Sequence, residues 1–150
     1  MRNPFLFIGL ALVMMGVAVP VSADSPSPVG RIKVLSGPTY VVRKGVQIPA
    51  ELGQDVFEAD CLRTGPDGRI GVTLKDDTRF SLGPDSEARL DRFVYRPADG
   101  ALGLALVFVR GVAAYVSGGI AKLAPDKIRL ETPAAIVGVR GTTLAIRVEP

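Results

Sequence analysis

The sequence contains no histidine, no tryptophan and a single cysteine, Cys61. Without histidine, the chain cannot form a Ser-His-Asp or Cys-His nucleophile, nor a metal site with histidine ligands. A single cysteine excludes an internal disulfide and a multi-cysteine metal cluster. Only three tyrosines are present, so little aromatic surface is available for stacking on sugars. These absences predict a protein that is not an enzyme and that uses no metal and no cofactor.

The excess of positive over negative side chains is also small. The 150 residues include 18 Lys and Arg against 15 Asp and Glu, which gives a net charge of +3. This charge is too small to indicate a nucleic-acid partner. The length corresponds to one domain with an ordinary apolar core.

The first residues have the order of a bacterial export signal. Arg2 precedes an unbroken apolar run over residues 5–19, and Val21-Ser22-Ala23 offers compact residues to a signal peptidase. The run is shorter than the roughly 20 apolar residues of a membrane-spanning helix, although an uncleaved anchor or a buried helix is the alternative. We therefore expect a helical signal peptide at 1–23 with cleavage after Ala23, a Ser/Pro leader at 24–28, a domain at 29–150, location in the periplasm, and no stable membrane span after cleavage.

Much of the remaining chain alternates between apolar and polar residues. A period of two places one apolar face and one solvated face on an extended strand. Such runs occupy residues 31–34, 70–74, 80–82, 88–90 and 144–148. We predict an all-β fold, a single domain of short, mostly antiparallel strands in a coiled roll, a solenoid-like stack or a sandwich.

The breaks between these runs carry turn-forming residues. Gly-Pro pairs occur in residues 64–68 and 83–85, and Asp76-Asp77 separates two strands at hairpin spacing. The apolar region 102–116 is long enough for a buried helix, but its β-branched and aromatic residues are poor helix formers. We interpret it as two buried strands, broken near Arg110-Gly111.

The acidic residues and the single thiol give little indication of catalysis or metal binding. Asp85 and Glu87 would share a face on a strand, as two glycosidase carboxylates do, but a solvated strand start is the favoured interpretation. Asp55, Glu58 and Asp60 are interpreted as a hydrated loop rather than a calcium site, because no calcium-loop spacing is present. Cys61 is expected to be a small buried apolar residue.

Three segments carry a more specific pattern. Residues 128–142 read I-R-L-E-T-P-A-A-I-V-G-V-R-G-T, residues 73–82 read T-L-K-D-D-T-R-F-S-L, and residues 60–65 read D-C-L-R-T-G after Gly53. Their order and spacing resemble the FecR-domain family, with its T-P-x-A start, apolar run, V-R-G-T signature and L-x-x-D-G-T-x-L-x-L hairpin. Asp77 stands at the glycine of that hairpin. The resemblance covers residues 29–148.

The resemblance implies a β-rich periplasmic domain that takes part in signalling. In the best-understood relatives, the domain relays a signal from an outer-membrane transporter to a membrane-bound regulator of a sigma factor. No cytoplasmic domain or internal membrane helix precedes the β region, so direct contact with a sigma factor is not expected. The sequence stops at Pro150, where relatives usually continue with further strands. The resemblance marks the following signature positions, which we interpret as structural: Thr64, Gly65, Thr132, Pro133, Gly138, Arg140, Gly141 and Thr142.

The residues of the signature have a physical interpretation of their own. Pro133 ends strand pairing, and Gly138 and Gly141 permit unusual dihedral angles or close backbone approach around Arg140. Arg140 is expected to donate hydrogen bonds to carbonyls or a carboxylate at a strand bend. A surface arginine and a ligand-contacting arginine are the alternatives.

The sequence therefore predicts a non-catalytic, periplasmic FecR-like protein that binds an envelope protein or another envelope component, with a role in signal sensing. A structural module that binds the cell wall or a glycan is the alternative. A hydrolase that uses Asp85 and Glu87 is the third hypothesis. The sequence defines neither the partner's identity nor the oligomeric state.

Overall fold

The computed structural model describes residues 17–20, 26–137, 139 and 143–149. Of these residues, 56% lie in strands and 9% in helices. The strands of the described residues form one curled, half-barrel sheet. All pairings in it are antiparallel except that of β9 with β10. The predicted all-β class with mostly antiparallel strands is confirmed.

The elements follow one another along the chain with short connections. A helix, α1, covers Gly119–Leu123, and two 3₁₀ turns cover Pro97–Asp99 and Pro125–Lys127. The strands are β1 (Gly30–Ser36), β2 (Thr39–Arg43), β3 (Val46–Pro49), β4 (Asp55–Val56), β5 (Cys61–Thr64), β6 (Arg69–Leu74), β7 (Arg79–Leu82), β8 (Glu87–Arg96), β9 (Ala101–Val116), β10 (Ile128–Glu131), β11 (Ile136–Val137) and β12 (Thr143–Val148).

The sheet has two halves that share β9. Half A has the order β4-β1-β6-β7-β9-β12, and half B has the order β3-β2-β5-β8-β9-β10-β11. The first part of β9 pairs with β8 and β10, and the last part pairs with β7 and β12. Apolar side chains from both halves form one core, which includes Ile32, Phe80 and Tyr115 from half A and Leu62, Leu106 and Phe108 from half B.

The prediction of two strands within 102–116 is wrong. Ala101–Val116 is one strand of 16 residues, although it changes partners at the predicted position. Gly111 has a φ of +90°, which turns the strand from half B into half A without ending its hydrogen bonding. Glycine adopts this φ without the steric penalty of a Cβ atom, so the residue that suggested a break instead permits a bend.

The predicted alternation over 31–34 holds only in part. Ile32 is fully buried, but Val34 is 58% exposed. The pairing of β1 with β6 passes from Ile32↔Val72 to Val34↔Gly71, so Lys33 is an extra, bulged residue. A bulge reverses which side chains face the core, and for this reason Val34 lies on the outer face of the sheet.

At one end of the sheet, which we call the corner, the chain crosses repeatedly between the two halves. The turns after β1, β5 and β7 stack there beside the bend of β9. Gly65 N–H donates to the Pro38 carbonyl at 2.9 Å, and Asp85 N–H donates to the Gly65 carbonyl at 3.0 Å. Each crossing is therefore hydrogen-bonded to the next.

Two buried hydroxyl groups complete the corner. Thr64 Oγ1 accepts from Ser86 N–H at 2.8 Å and donates to the Gly83 carbonyl at 2.6 Å. Ser86, which has no exposed surface, accepts from Val112 N–H through its Oγ at 2.9 Å. These side chains satisfy backbone groups that cannot join a regular ladder at a bend.

The opposite end of the core is covered by α1 and the β6–β7 hairpin. Asp77 has a φ of +67° and so takes the place of glycine in the predicted hairpin. The neighbouring Asp76 is 3% exposed and accepts hydrogen bonds from Thr78 Oγ1 at 2.7 Å and from Ile120 N–H at 3.1 Å. The Asp76 carboxylate therefore joins the hairpin to the first turn of α1, and Ile120 packs into the core.

Most of the predicted export signal lies outside the described residues, and so does its cleavage position after Ala23. Residues 17–20 are exposed and have no regular secondary structure. Within the described part of the chain, none of the helices has the length and apolar character needed to cross a membrane.

The corner predicts a difference between two glycine substitutions. A Cβ atom at Gly111 would overlap Ser86 Oγ and approach the Ser86 Cα to 2.6 Å, whereas one at Gly45 would meet nothing within 4 Å. Both glycines have positive φ. We expect Gly45→Ala to lower the free energy of unfolding by about 1 kcal/mol and Gly111→Ala by about 3 to 5 kcal/mol. Urea unfolding of the two purified variants measures the difference, and equal losses would contradict the role given to the corner.

Candidate functional site

Two of the signature residues lie in the corner. Thr64 forms the hydroxyl contacts described above, and Gly65 takes part in the stack of turns. A Cβ atom at Gly65 would lie 3.1 Å from Pro38 Cγ, so the two turns could not remain this close without displacement. We infer a structural role for both residues.

The other signature residues are at or beyond the β10–β11 turn. Thr132 N–H donates to the Ala135 carbonyl at 2.8 Å, and Pro133 is exposed in the same turn. Their contacts form a local turn and do not bring other polar groups together. The remaining signature residues, Gly138, Arg140, Gly141 and Thr142, lie outside the described residues.

On the outer face of half B, charged side chains pair with one another. Glu87 accepts from Arg63 Nη2 at 3.1 Å and lies 3.5 Å from Arg110 Nε. Arg89 pairs with Asp91 and Arg129 pairs with Glu131. This face therefore satisfies most of its charges within the fold.

Cys61 belongs to this charged face, so the expectation of a small buried apolar residue is wrong. Its side chain points outward from β5, is half-buried and donates from Sγ to Glu87 Oε1 at 3.3 Å. Burial, together with the hydrogen bond to the Glu87 carboxylate, raises the pKa of the Cys61 thiol to about 11. A thiol with this pKa is almost wholly protonated at neutral pH and is a poor nucleophile.

The carboxylates Asp85 and Glu87 lie in different surroundings. Asp85 is an exposed turn residue with a φ of +51°, and Glu87 lies on β8. Burial acts to raise the pKa of Glu87, but hydrogen bonds from Arg63 and Cys61 outweigh it and hold the pKa below its usual value. A general acid needs the opposite shift, so the arrangement gives no support to the glycosidase hypothesis.

Asp60 is a buried clamp and not part of a hydrated loop, which corrects the interpretation of that acidic cluster. It is 1% exposed and receives hydrogen bonds from Arg43 Nε at 2.9 Å, Arg43 Nη2 at 2.8 Å and Phe57 N–H at 2.9 Å. The Arg43 guanidinium also stacks over the Phe57 ring, 4.5 Å from its centroid. Among the described residues, no group of His, Cys, Asp and Glu side chains could hold a metal ion.

The outer face of half A is different, because a shallow trough crosses its strands. Two adjoining cavities of about 400 and 470 Å³ share Val34, Ser81 and Ala114 in their linings. The floor follows a row of registered pairs with small side chains or none: Gly71↔Ser81, Ser81↔Ala114 and Ala114↔Ala145. The row is bounded by exposed Val34 at β1.

Basic side chains border this floor on both sides. On one side, Arg79 lies two residues from Ser81 along β7, and Lys33 of β1 lines the same cavity. On the other side, Arg69 lies two residues from Gly71 along β6, and Arg147 lies two residues from Ala145 along β12. All four are exposed, and none forms an ion pair with an acidic side chain in the described part of the chain. We call the floor and these borders the basic trough.

Comparison with known protein families identifies the family of this chain. Residues 60–150 match the family model described as FecR protein. The chain belongs to the FecR protein family. This membership indicates a signalling-related protein, associates it with the cell envelope and places it in a family of regulators rather than enzymes. No curated protein and no solved structure matches the chain.

The FecR match begins at Asp60, but the folded unit does not. Strands β1 to β4 precede the matched residues and yet are hydrogen-bonded into the same sheet, through β1–β6 and β2–β5. Lys33 and Val34 of the basic trough come from this preceding part. The trough therefore combines FecR-matched strands with one strand outside the match.

The basic trough was not found from the sequence. Its residues are dispersed over five strands, and only the register brings them into one row. The alternation did place Lys33, Arg79 and Arg147 on outward positions. The available signal was that the small residues Gly71, Ser81 and Ala145 each lie two positions from an arginine.

The thiol of Cys61 provides a test of the charged face. Because its pKa is about 11, we expect the folded protein at pH 8 to react with iodoacetamide at least about a hundredfold more slowly than the same chain unfolded in urea. Replacing Glu87→Gln removes an anion that raises this pKa, so the folded variant should react faster than wild type. Mass spectrometry of quenched samples measures both rates, and equal rates for the folded and unfolded chain would refute the assigned environment.

Asp60 gives a second, independent prediction. Asp60→Asn leaves Arg43 without its anionic partner, and we expect a loss of about 2 to 3 kcal/mol in the free energy of unfolding, because Arg43 retains 32% exposure. The matched control is Asp55→Asn, which removes an exposed pair with Arg31 and should cost less than about 1 kcal/mol. Urea unfolding curves of the two variants measure these losses in the free energy of unfolding. Similar losses would mean that the Asp60 clamp contributes no more than a surface pair.

Proposed function

We propose that this FecR protein is exported to the periplasm, where it acts without catalysis by binding a protein partner in the envelope as part of signal sensing. The signal peptide is residues 1–23, residues 24–28 are a leader, and residues 29–150 form the binding domain. The family relationship and the order of the N-terminal residues support this assignment.

One observation carries the proposal, namely the contrast between the two outer faces of the sheet. Half B pairs most of its charges around Glu87 and Asp91, although Arg92 and Arg96 of β8 form no ion pair among the described residues. Half A instead places four exposed cations without an acidic partner, in the described part of the chain, around one trough. Exposed apolar groups, Val34 at 58% and Val112 at 43%, accompany these cations. A trough with unpaired charge and exposed apolar groups has the properties of a binding surface.

A glycan-binding module has less support. The Tyr115 ring has no exposed surface and the Phe80 ring is 3% exposed, so neither can stack on a sugar although both lie on strands of half A. The cations of the trough could contact an anionic polymer, and co-sedimentation with peptidoglycan tests that alternative directly. Pelleting of most of the protein with peptidoglycan would favour the alternative over a protein partner.

The proposal is tested by photocross-linking in the native host. A photoreactive amino acid is placed at Ser81, which is exposed in the centre of the trough, and in a second strain at Val46, which is 60% exposed on β3 of half B. We expect an adduct with one envelope protein from position 81 and not from position 46. Cell fractionation and the mass of the mature N-terminus, read in the same samples, should show export and cleavage after Ala23.

Two results would reject the proposal. A protein that remains in the cytosol with its N-terminus intact is not an exported partner-binding domain. Equal adduct formation from positions 81 and 46, or none from either position, would mean that half A is not a specific interface.

A further inference from the structure

We propose that the basic trough binds an extended, acidic segment of the partner protein, which lies across the strands of half A. This inference rests on the proposed function and specifies the chemistry of the partner. It follows from three features of the trough: the direction of the floor, the positions of the cations, and the absence of groups that would suit a lipid surface.

The floor has the dimensions of an extended chain. It runs from β1 through β6, β7 and β9 to β12, which are four strand spacings of about 4.8 Å, or about 19 Å in total. An extended segment of about six residues covers this length. Gly71, Ser81, Ala114 and Ala145 have little or no side-chain volume, so the backbone of such a segment can lie close to the sheet.

The cations match the side-chain period of that segment. Arg79 and Lys33 are on one side of the floor and Arg69 and Arg147 on the other. The three arginines each stand two residues from a floor residue, so about 13 Å separates Arg79 from the opposite row. Side chains of an extended chain alternate between its two sides. Adjacent acidic residues would therefore direct one carboxylate to each row, where arginine forms paired hydrogen bonds with it.

A lipid surface fits the trough less well. Binding to a membrane surface uses protruding aromatic or long apolar side chains beside the cations. The rings nearest the trough, Phe80 and Tyr115, point into the core, and the apolar residues at the floor are small. The trough is concave and its cations are at the sides, which suits a narrow chain and not a broad interface.

The experiment uses the full chain as purified from the periplasm and a defined probe. The probe is a capped, fluorescent octapeptide of two Glu-Glu-Gly-Gly repeats, and its partner probe has lysine in place of glutamate. Anisotropy is measured at 50 and 300 mM salt for wild type, for Arg79→Glu, for Arg69→Glu and for Ser81→Tyr, which fills the floor. The control is Arg96→Glu, an exposed arginine at the end of β8 in half B that forms no ion pair among the described residues.

We expect the glutamate probe to bind and the lysine probe not to bind. Each charge reversal in the trough and Ser81→Tyr should weaken binding at least tenfold, Arg96→Glu should change it less than twofold, and the higher salt should weaken it several-fold. Circular dichroism and urea unfolding confirm that every variant retains the fold, and all of the changed side chains are exposed.

Three outcomes would overturn the inference. They are the absence of glutamate-probe binding at millimolar concentration, equal loss of binding in Arg96→Glu, and stronger competition by anionic phospholipid vesicles than by unlabelled peptide. The cross-linking at position 81 is independent of these outcomes. An adduct at position 81 with no binding of the acidic probe would reject the acidic segment and keep the protein partner, whereas loss of the adduct would reject the proposed function itself.

Discussion

The structure depends on the close approach of backbone at the corner, where Gly111 meets Ser86. At this corner the chain passes between the two halves of the sheet after β1, β5 and β7 and within β9, and each of these passages interrupts the regular ladder. The interrupted backbone groups are satisfied by the turns of neighbouring crossings and by the hydroxyls of Thr64 and Ser86. A buried backbone group without a partner would destabilise the fold by an amount comparable to a lost hydrogen bond, and stacking these crossings supplies the partners. A Cβ atom at residue 111 would occupy the space that this stacking needs.

The corner also explains why one strand serves both halves. Because Gly111 turns β9 without ending it, the last residues of β9 pair with β7 and β12 while the first pair with β8 and β10. The inward side chains of both parts, Leu106 and Tyr115 among them, then meet in a single core. The outward side chains are left to two separate faces. Half B joins most of its charges into local pairs, and half A presents unpaired cations beside small residues. The two faces differ because their outward residues differ, although their inward residues share one core.

The sequence predicted strands and turns correctly where a local pattern determines them. It failed where the register between strands determines the surroundings of a side chain. Alternation over 70–74, 80–82, 88–90 and 144–148 predicted strands correctly because the apolar face of each is buried or, at 144–148, half-buried, and Asp77 was correctly placed in a hairpin. Val34 was placed wrongly because a bulge at Lys33 reverses the facing of β1, and such a bulge depends on the partner strand. The isolated cysteine and the acidic cluster were misjudged for a similar reason. Glu87, which accepts from Cys61, comes from β8, and Arg43, which donates to Asp60, comes from β2.

The same dependence on register connects the corner to the basic trough. The floor consists of Gly71, Ser81, Ala114 and Ala145 only while β6, β7, β9 and β12 keep their present alignment. A slip by one residue in a strand exchanges its two faces, so Ile70, Leu82 or Ala113 would replace a floor residue and a basic side chain would enter the core. The hydroxyls of Thr64 and Ser86 hold two of these strands against such a slip, β7 through the Gly83 carbonyl that follows it and β9 through the backbone of Val112. The corner therefore adjoins one side of the trough, where Gly83 and Val112 line it, and helps to define which side chains form it.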